Sequence, residues 1–421
     1  MRFRILFRVI FILIYTFGTY PLFAQRLFKI DWQKDVDSLN VLIKREHYVF
    51  SKNDLPRKYH KYLFDLKLNA SDYTDERMLL ELNKLMVQLG DGHSYVLPFG
   101  PKNIESYFLP VSFYWFSEGL FVIDAEKPYE SLIGSKVVSI NNLDIKRVLK
   151  LSIQYVHHDN KMTQKWLAPS FLRFKALYEI MGLSSNKDSI DIKFLNSTGE
   201  KFNMKIPFVQ VHDLKGVPKL MHPRNLTNSD TLLYLKKVDK NYWFKAIDKK
   251  TVYCQFNQVR NDKNESLDDF AKRLREFVNQ SEKTKLIIDV RHNNGGNKEI
   301  LDSFVNSLVE FSRVQGNTLY VITGRNTFSA AQIFISLLYR DANCKFLGEE
   351  SSSKPNFVGE ENIFILPNSG AIVSVSNKYH ETIPGNHQKF IPVSKKISLS
   401  SSDYFHNIDP VLGFILNNTT K

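Results

Sequence analysis

Ser329 stands between an apolar run, Thr318 to Thr323, and an apolar-periodic segment that reaches Arg340. The run reads as a buried strand and the spacing beyond Ser329 as a helix. A hydroxyl at that handover lies beside the unpaired N–H groups and positive end of the helix dipole. Upstream, Leu286 to Val290 turns through Arg291-His292-Asn293-Asn294 into Gly295-Gly296. Glycines there let backbone amides approach a ligand with no side chain between them. In open α/β sheets ligands collect at the carboxyl ends of strands, so serine and glycine amides share one edge. A hydroxyl nucleophile beside an amide nest is how an acyl-transfer site with an oxyanion hole is built. Ser329 and Gln332 also fit the spacing of a capping box, and the local sequence leaves both readings open.

The elements around these residues alternate strand and helix from Lys285 to Gly348, which predicts a mostly parallel sheet with helices packed on it. Before it, Val252 to Phe256 reads as a strand and Leu267 to Val278 as a helix. After it, Ile363 to Leu366 and Ala371 to Val375 read as a hairpin around Pro367-Asn368-Ser369-Gly370. Residues 25–105 are predicted helical, with Trp32 to Phe50 and Thr74 to Leu89 carrying apolar residues at helical spacing and Gly90 as a stop. His93 follows on the turn leaving that second helix, where a lone histidine is ordinarily a cap or surface residue. Residues 106–210 read mainly as β with a helical insert from Asn160 to Leu183. Residues 211–230 are polar, weakly patterned and the best linker candidate, and 231–421 form the last region. His157-His158 beside Asp159 suggests a metal, but adjacent histidines point apart and no further ligands stand nearby.

Residues 1–24 have the form of a secretory signal peptide: Arg2, Arg4 and Arg8, an apolar stretch from Val9 to Phe23, then Ala24-Gln25. The apolar stretch is shorter than the ~20 residues of a spanning helix. The expectation is an exported chain, periplasmic or extracellular, without stable membrane insertion after cleavage. The remaining stretch of about 395 residues exceeds one typical core, so two or three domains are expected. A hydrophobic fraction of 43% with 13% aromatics excludes a disordered chain. Two cysteines, Cys254 and Cys344, cannot build a disulfide framework or a cysteine zinc site. They read as buried free thiols, although an oxidising compartment permits a bridge. The net charge of +13 is dispersed rather than gathered into a basic stripe with interleaved aromatics, which argues against a nucleic-acid partner.

Four segments carry a resemblance. Asp289-Val290-Arg291-His292-Asn293-Asn294-Gly295-Gly296 resembles the Asp-x-Arg-x-Asn-x-Gly-Gly signature of the C-terminal-processing (tail-specific) proteases and their tricorn-core relatives. Thr327-Phe328-Ser329-Ala330-Ala331-Gln332 resembles their nucleophile motif. Gly348-Glu349, with Lys354-Pro355-Asn356 and Gly359-Glu360, is similar to the Gly-Glu-x-x-x-Gly-Lys segment that follows it. Asp91-Gly92-His93-Ser94 resembles the Asp-Gly-His-Thr/Ser element of the tricorn-like branch. They occur in the family's order. A fifth stretch, Leu132 to Asn142, is similar to a strand of PDZ modules, with Ser135 in place of an aspartate and Asn142 in place of the final glycine.

The resemblance implies an α/β multidomain chain: a helical region at 25–105, a PDZ-like module at 106–210, and a ClpP/crotonase-like catalytic core at 231–421. It implies a serine endopeptidase acting on peptides or unfolded proteins, with no metal or other cofactor. Ser329 would be the nucleophile, and the backbone N–H groups of Ala330 and of Gly295 or Gly296 the oxyanion donors. The base would be a lysine in the tail-specific branch, here Lys354, or a histidine in the tricorn branch, here His93. A solvated lysine holds its proton up to about pH 10.4, whereas an imidazole near 6.5 suits the task unaided. His93 is favoured because its element is intact, while Ser351-Ser352-Ser353 replaces the Thr-x-Gly that precedes the lysine. Glu360 and Glu381 are available to orient the site. The alternative is a catalytically silent relative that binds peptides at the cell envelope.

Overall fold

The computed structural model describes residues 29–99, 104–183, 188–210, 232–280 and 283–417. The signal peptide and the linker expected at 211–230 lie outside the described residues. The chain opens with three helices, α1 (Trp32–Glu46), α2 (Arg57–Asn69) and α3 (Asp75–Val87). Thr74 caps α3 by accepting the Arg77 N–H, and Gly90, at φ 82°, lets the chain leave. The turn 91–94 then delivers β1 (Tyr95–Val96). Asn83 of α3 pins this exit, its amide oxygen accepting the Val96 N–H at 3.0 Å.

The middle of the chain is antiparallel. After β2 (Tyr107–Phe108) come β3 (Val111–Phe116), β4 (Gly119–Ala125), β5 (Lys136–Ile140) and β6 (Leu143–Asp144). Helices α4 (Ile145–Ser152), α5 (Lys161–Phe171) and α6 (Lys175–Ile180) interrupt it before β7 (Ser189–Leu195), β8 (Lys201–Pro207) and β9 (Val209–Gln210). The sheet runs β3-β4-β5-β7-β8, with β6 beside β5. Its core includes Val122, Val137, Ile192 and Phe194, which pack against Val148, Phe171 and Leu177 of the helices.

The last third holds the sheet that carries Ser329. Its strands are β10 (Tyr242–Ala246), β11 (Thr251–Phe256), β12 (Lys285–Asp289), β13 (Thr318–Thr323) and β14 (Cys344–Gly348). Helices α7 (Leu267–Gln280), α8 (Asp302–Arg313) and α9 (Ala330–Asp341) alternate with them. β10 pairs antiparallel with β11, and β11, β12, β13 and β14 pair parallel in that order. Alternation along β11 sends Cys254 and Phe256 to one face, where Phe270, Phe304 and Phe334 of the three helices meet them. Tyr253 goes to the other face with Ile287, Ile322 and Leu412. Each such phenylalanine, fully buried, contributes roughly 2–3 kcal/mol. Cys254 and Cys344 are free thiols.

After β14 the chain crosses back. β15 (Phe357–Ile365) and β16 (Ile372–His380) form a hairpin whose other partner is β1, which pairs with β16. Leu366, Val373 and Val375 sit in one core with Leu39, Leu79 and Leu85 of the first helices. The buried Asp35 carboxylate of α1 accepts the N–H groups of Asn368 and Ser369 at the hairpin tip. β17 (Lys395–Lys396) then extends the parallel sheet, and α10 (Ser401–Phe405) and α11 (Pro410–Asn417) close the chain. This return places β1, and the turn before it, alongside the region that carries Ser329.

Candidate active site

The parallel strands β12 and β13 end side by side, Asp289 opposite Ile322. The turns that follow them make the site. After β13 the chain runs Gly324 to Ser329 before α9 begins. Thr327 fixes this turn: its hydroxyl donates to Val290 O at 2.9 Å and accepts the Gly324 N–H at 3.1 Å. Ser329 has φ 55° and ψ −124°, a strained conformation for a residue with a Cβ. Its side chain makes no capping hydrogen bond, so the capping-box alternative fails. With φ positive, the side chain cannot fold back over the first turn as a cap does. The serine is half-buried, and its backbone N–H donates to the Ser353 hydroxyl at 3.2 Å.

The turn after β12 fits against this serine. A Cβ on Gly295 would lie 2.8 Å from Ser329 Cβ and 2.9 Å from Ala330 N. One on Gly296 would lie 2.1 Å from Val259 O. Only glycine allows both approaches, and both residues have positive φ. The Gly295 N–H is held by Asn293 Oδ1 at 3.0 Å, so it is committed within its own turn. Gly296 is bracketed by Val259 N–H to Gly295 O at 2.9 Å and Asn297 N–H to Val259 O at 2.8 Å. Its own N–H therefore faces away from Val259. Ala330 is the first residue of α9, where a backbone N–H has no helical acceptor.

His93 lies next to this assembly. Its ring stacks on Phe328, the residue before Ser329, with centroids 4.4 Å apart, and on Phe357 on its other face at 5.2 Å. It is buried, and neither ring nitrogen has a hydrogen-bond partner. Burial drives its pKa down to about 4, with the nearby Asp91 carboxylate pulling the other way. A neutral imidazole with open nitrogens can take a proton.

Asp91 organises the turn that carries it. One carboxylate oxygen accepts the N–H groups of His93 and Ser94 and the Ser376 hydroxyl, and the other meets His47 Nε2 at 3.0 Å. His47 Nδ1 accepts the Val49 and Phe50 N–H groups, so its proton sits on Nε2 and points at Asp91. Burial raises the Asp91 carboxyl, yet these donors, His47 first, hold it at about 2.

Lys354 Nζ is 3.5 Å from Gly90 O, just before the turn that carries His93, and is partly exposed. Glu360 meets His380 Nε2 at 3.5 Å with its carboxylate exposed, and Glu381 accepts the Gly385 N–H. Among the described residues neither glutamate hydrogen-bonds to His93. The residues that sequence reasoning overlooked are those behind the serine: Ser353, Asp159 and the buried pair Arg325–Glu349. Arg325 donates two hydrogen bonds to Glu349, at 2.8 and 2.7 Å, and a third to Trp115 O at 2.6 Å, tying the turn that carries Ser329 to β3. The run Ser351-Ser352-Ser353 was the available signal, since three buried serines need hydrogen-bond partners.

This arrangement of sheet, hairpin and antiparallel module is the fold of solved structures of mature CPAF. Among solved structures, mature CPAF complexed with lactacystin superposes with a TM-score of 0.62 at 12% identity, over 92% of this chain and 97% of that one. The photosystem II D1 C-terminal processing protease matches with a TM-score of 0.39 at 11% identity, over 88% and 94%. The tricorn protease gives 0.41 at 12%, over 92% of this chain and 36% of that one. No protein-family model matches the sequence, and no curated protein sequence matches it.

Proposed function

We propose that the chain is an exported serine endopeptidase that hydrolyses peptide bonds in proteins or peptides. Ser329 is the nucleophile, His93 the general base, and the N–H groups of Ala330 and Gly296 the oxyanion donors. The observation that carries this reading is the backbone of Ser329. A serine at φ 55°, at the mouth of a helix, with no capping bond and a glycine against its Cβ, is a strained turn that presents a hydroxyl. In the reaction Ser329 Oγ attacks the scissile carbonyl carbon while His93 takes the hydroxyl proton. Negative charge gathers on the carbonyl oxygen between the two amides, and the imidazolium returns the proton to the leaving amine. Water repeats the sequence on the acyl-enzyme. Desolvation holds the imidazole neutral and free to accept a proton, at the cost of basicity, since its pKa falls to about 4. Lys354 is the alternative base, and its place beside Gly90 O weighs against it. The antiparallel module of β3 to β8 is taken as a PDZ-like unit that receives an extended peptide.

Cleavage of unfolded casein, compared among the wild type, Ser329→Ala, His93→Ala and Lys354→Ala, tests this. Loss of activity in the first two variants and its retention in the third is expected. An unaffected His93→Ala moves the base to Lys354, and an inert wild-type chain that no fluorophosphonate labels removes the peptidase reading. A second reading, a silent peptide-binding relative, is favoured by one feature: the imidazole is sandwiched between Phe328 and Phe357 with both nitrogens unpartnered.

A further inference from the structure

Behind the nucleophile turn, the start of α5 meets the loop that follows β14 along a continuous seam. Asn160 Nδ2 donates to Ser351 O at 3.0 Å, and Thr163 Oγ1 donates to Ser352 O at 2.6 Å. Lys165 Nζ lies 3.4 Å from Glu349. Trp166 lies against Phe328, with centroids 5.8 Å apart. Four residues of an insert in the antiparallel module thus reach the 349–353 loop or the nucleophile turn itself. At the inner end of the seam is Asp159. Its Oδ1 accepts the Gly92 N–H at 3.0 Å, the buried Oδ2 closes no hydrogen bond, and the Ser353 hydroxyl is near enough to lower the carboxyl's pKa. That same hydroxyl accepts the backbone N–H of Ser329.

We infer that Asp159 and Ser353 are positioning residues for the Ser329 nucleophile, forming a chain from the α5 insert through the Ser353 hydroxyl to the Ser329 backbone amide. The inference rests on the peptidase reading. Ser353 Oγ has one proton to give and can accept the Ser329 N–H at the same time. When Asp159 is ionised, Ser353 donates to it, and the hydrogen-bond chain runs in one direction from Ser329 to the carboxylate. When Asp159 is protonated, the carboxyl itself can donate to Ser353, whose own proton must turn elsewhere. The Ser329 amide keeps an acceptor in both states, but a fully directed chain exists in only one. The Ser353 contact supports a residue held at φ 55°, and the undirected chain holds it less firmly. The same Asp159 carboxyl grips Gly92, beside His93, so one group holds the base's turn and lies one residue, Ser353, away from the Ser329 amide.

Burial lifts the Asp159 carboxyl to about 7, with the Lys354 ammonium opposing and the Asp91 carboxylate assisting. Those two are the charged groups that face it, one from the loop after β14 and one from the turn after α3. The switch between the two states of the chain therefore falls near neutrality. Lys354 thereby acquires a role other than base: its charge moderates Asp159.

The test is a double-mutant cycle on the full chain with casein or a fluorogenic peptide, Asp159→Asn and Ser353→Ala alone and together, over pH 5 to 9. Ser353→Ala should lower kcat about tenfold with KM within about twofold, since the loss is of alignment rather than substrate contact. Asp159→Asn should abolish an inflection in kcat near pH 7 that the wild type shows, with the asparagine oxygen still accepting from Gly92. The double variant should be no slower than Ser353→Ala alone, because Asp159 acts through Ser353. Additive losses, or a wild-type inflection retained in Asp159→Asn, overturn the inference while leaving the peptidase reading intact. If Ser353→Ala does not fold, the isosteric Asp159→Asn and its pH profile decide alone. A wild type without activity or serine labelling removes the peptidase reading, and this inference with it.

Discussion

His93 and Phe328 stack face to face, their centroids 4.4 Å apart and their planes 19° from parallel. This contact brings a histidine on the turn after α3 against the residue that precedes Ser329, across more than half of the chain. It depends on the return of β15 and β16 to the first helices, because β1, which follows His93, is held in place by β16.

Replacing Ser329 separates chemistry from strain. Ser329→Ala keeps the Cβ and should leave the melting temperature near that of the wild type while abolishing casein cleavage. Ser329→Gly should be equally inactive yet more stable by about 1 kcal/mol, because glycine adopts φ 55° without penalty. Thermal melts of the three chains side by side check this, and a Gly variant less stable than the Ala variant refutes the strain argument.

A methyl group on Gly296 should be poorly tolerated. With its Cβ 2.1 Å from Val259 O and φ at 138°, Gly296→Ala must move backbone rather than a flexible side-chain tip. A loss of 2 kcal/mol or more, as a rough expectation for overpacking plus backbone strain, and a fall in kcat are predicted together. Urea unfolding and steady-state kinetics read the two effects.

The buried His93 links stability to acid. Its folded pKa of about 4 lies below the 6.5 of a free imidazole. Between those values the unfolded chain takes up a proton that the folded one refuses, so the contribution is complete above pH 6.5 and lost as pH falls toward 4. Asp159 has the opposite sign: its carboxyl, raised by burial to about 7 from 3.8, contributes stability that is present below 3.8 and lost as pH rises through 7. Relative to wild type, His93→Phe should therefore gain stability as pH drops from 6.5 to 4, and Asp159→Asn should gain it between pH 4 and 8. Denaturant midpoints at several pH values give both slopes.

Arg325→Ala leaves Glu349 buried with the partly exposed Lys165 as its remaining cation and frees Trp115 O. A cost of about 3–5 kcal/mol is expected, larger than for substitution in the exposed pair Lys34–Asp31. The comparison is read from chemical denaturation, and equal effects at the two sites would contradict it.

The sequence made the local elements readable. The apolar alternation of 252–256 and 286–290, the helical spacing after Ser329 and the Gly295-Gly296 pair each depend on contacts within a few residues, where the backbone period dictates the pattern. The helix at Arg57–Asn69 lies within the region predicted helical, but its bounds are not legible, since Phe64 and Leu68 are exposed and blur its apolar face. The capping-box alternative for Ser329 could not be dismissed either, because spacing carries no φ. The tertiary structure alone decided which distant groups meet the serine. That His93 stacks on Phe328, that Ser353 accepts the Ser329 amide and that Asp159 accepts from Gly92 all follow from how three regions fold back on one sheet edge. Such meetings are set by the packing of hairpin, insert and core, and a one-dimensional pattern holds no record of them.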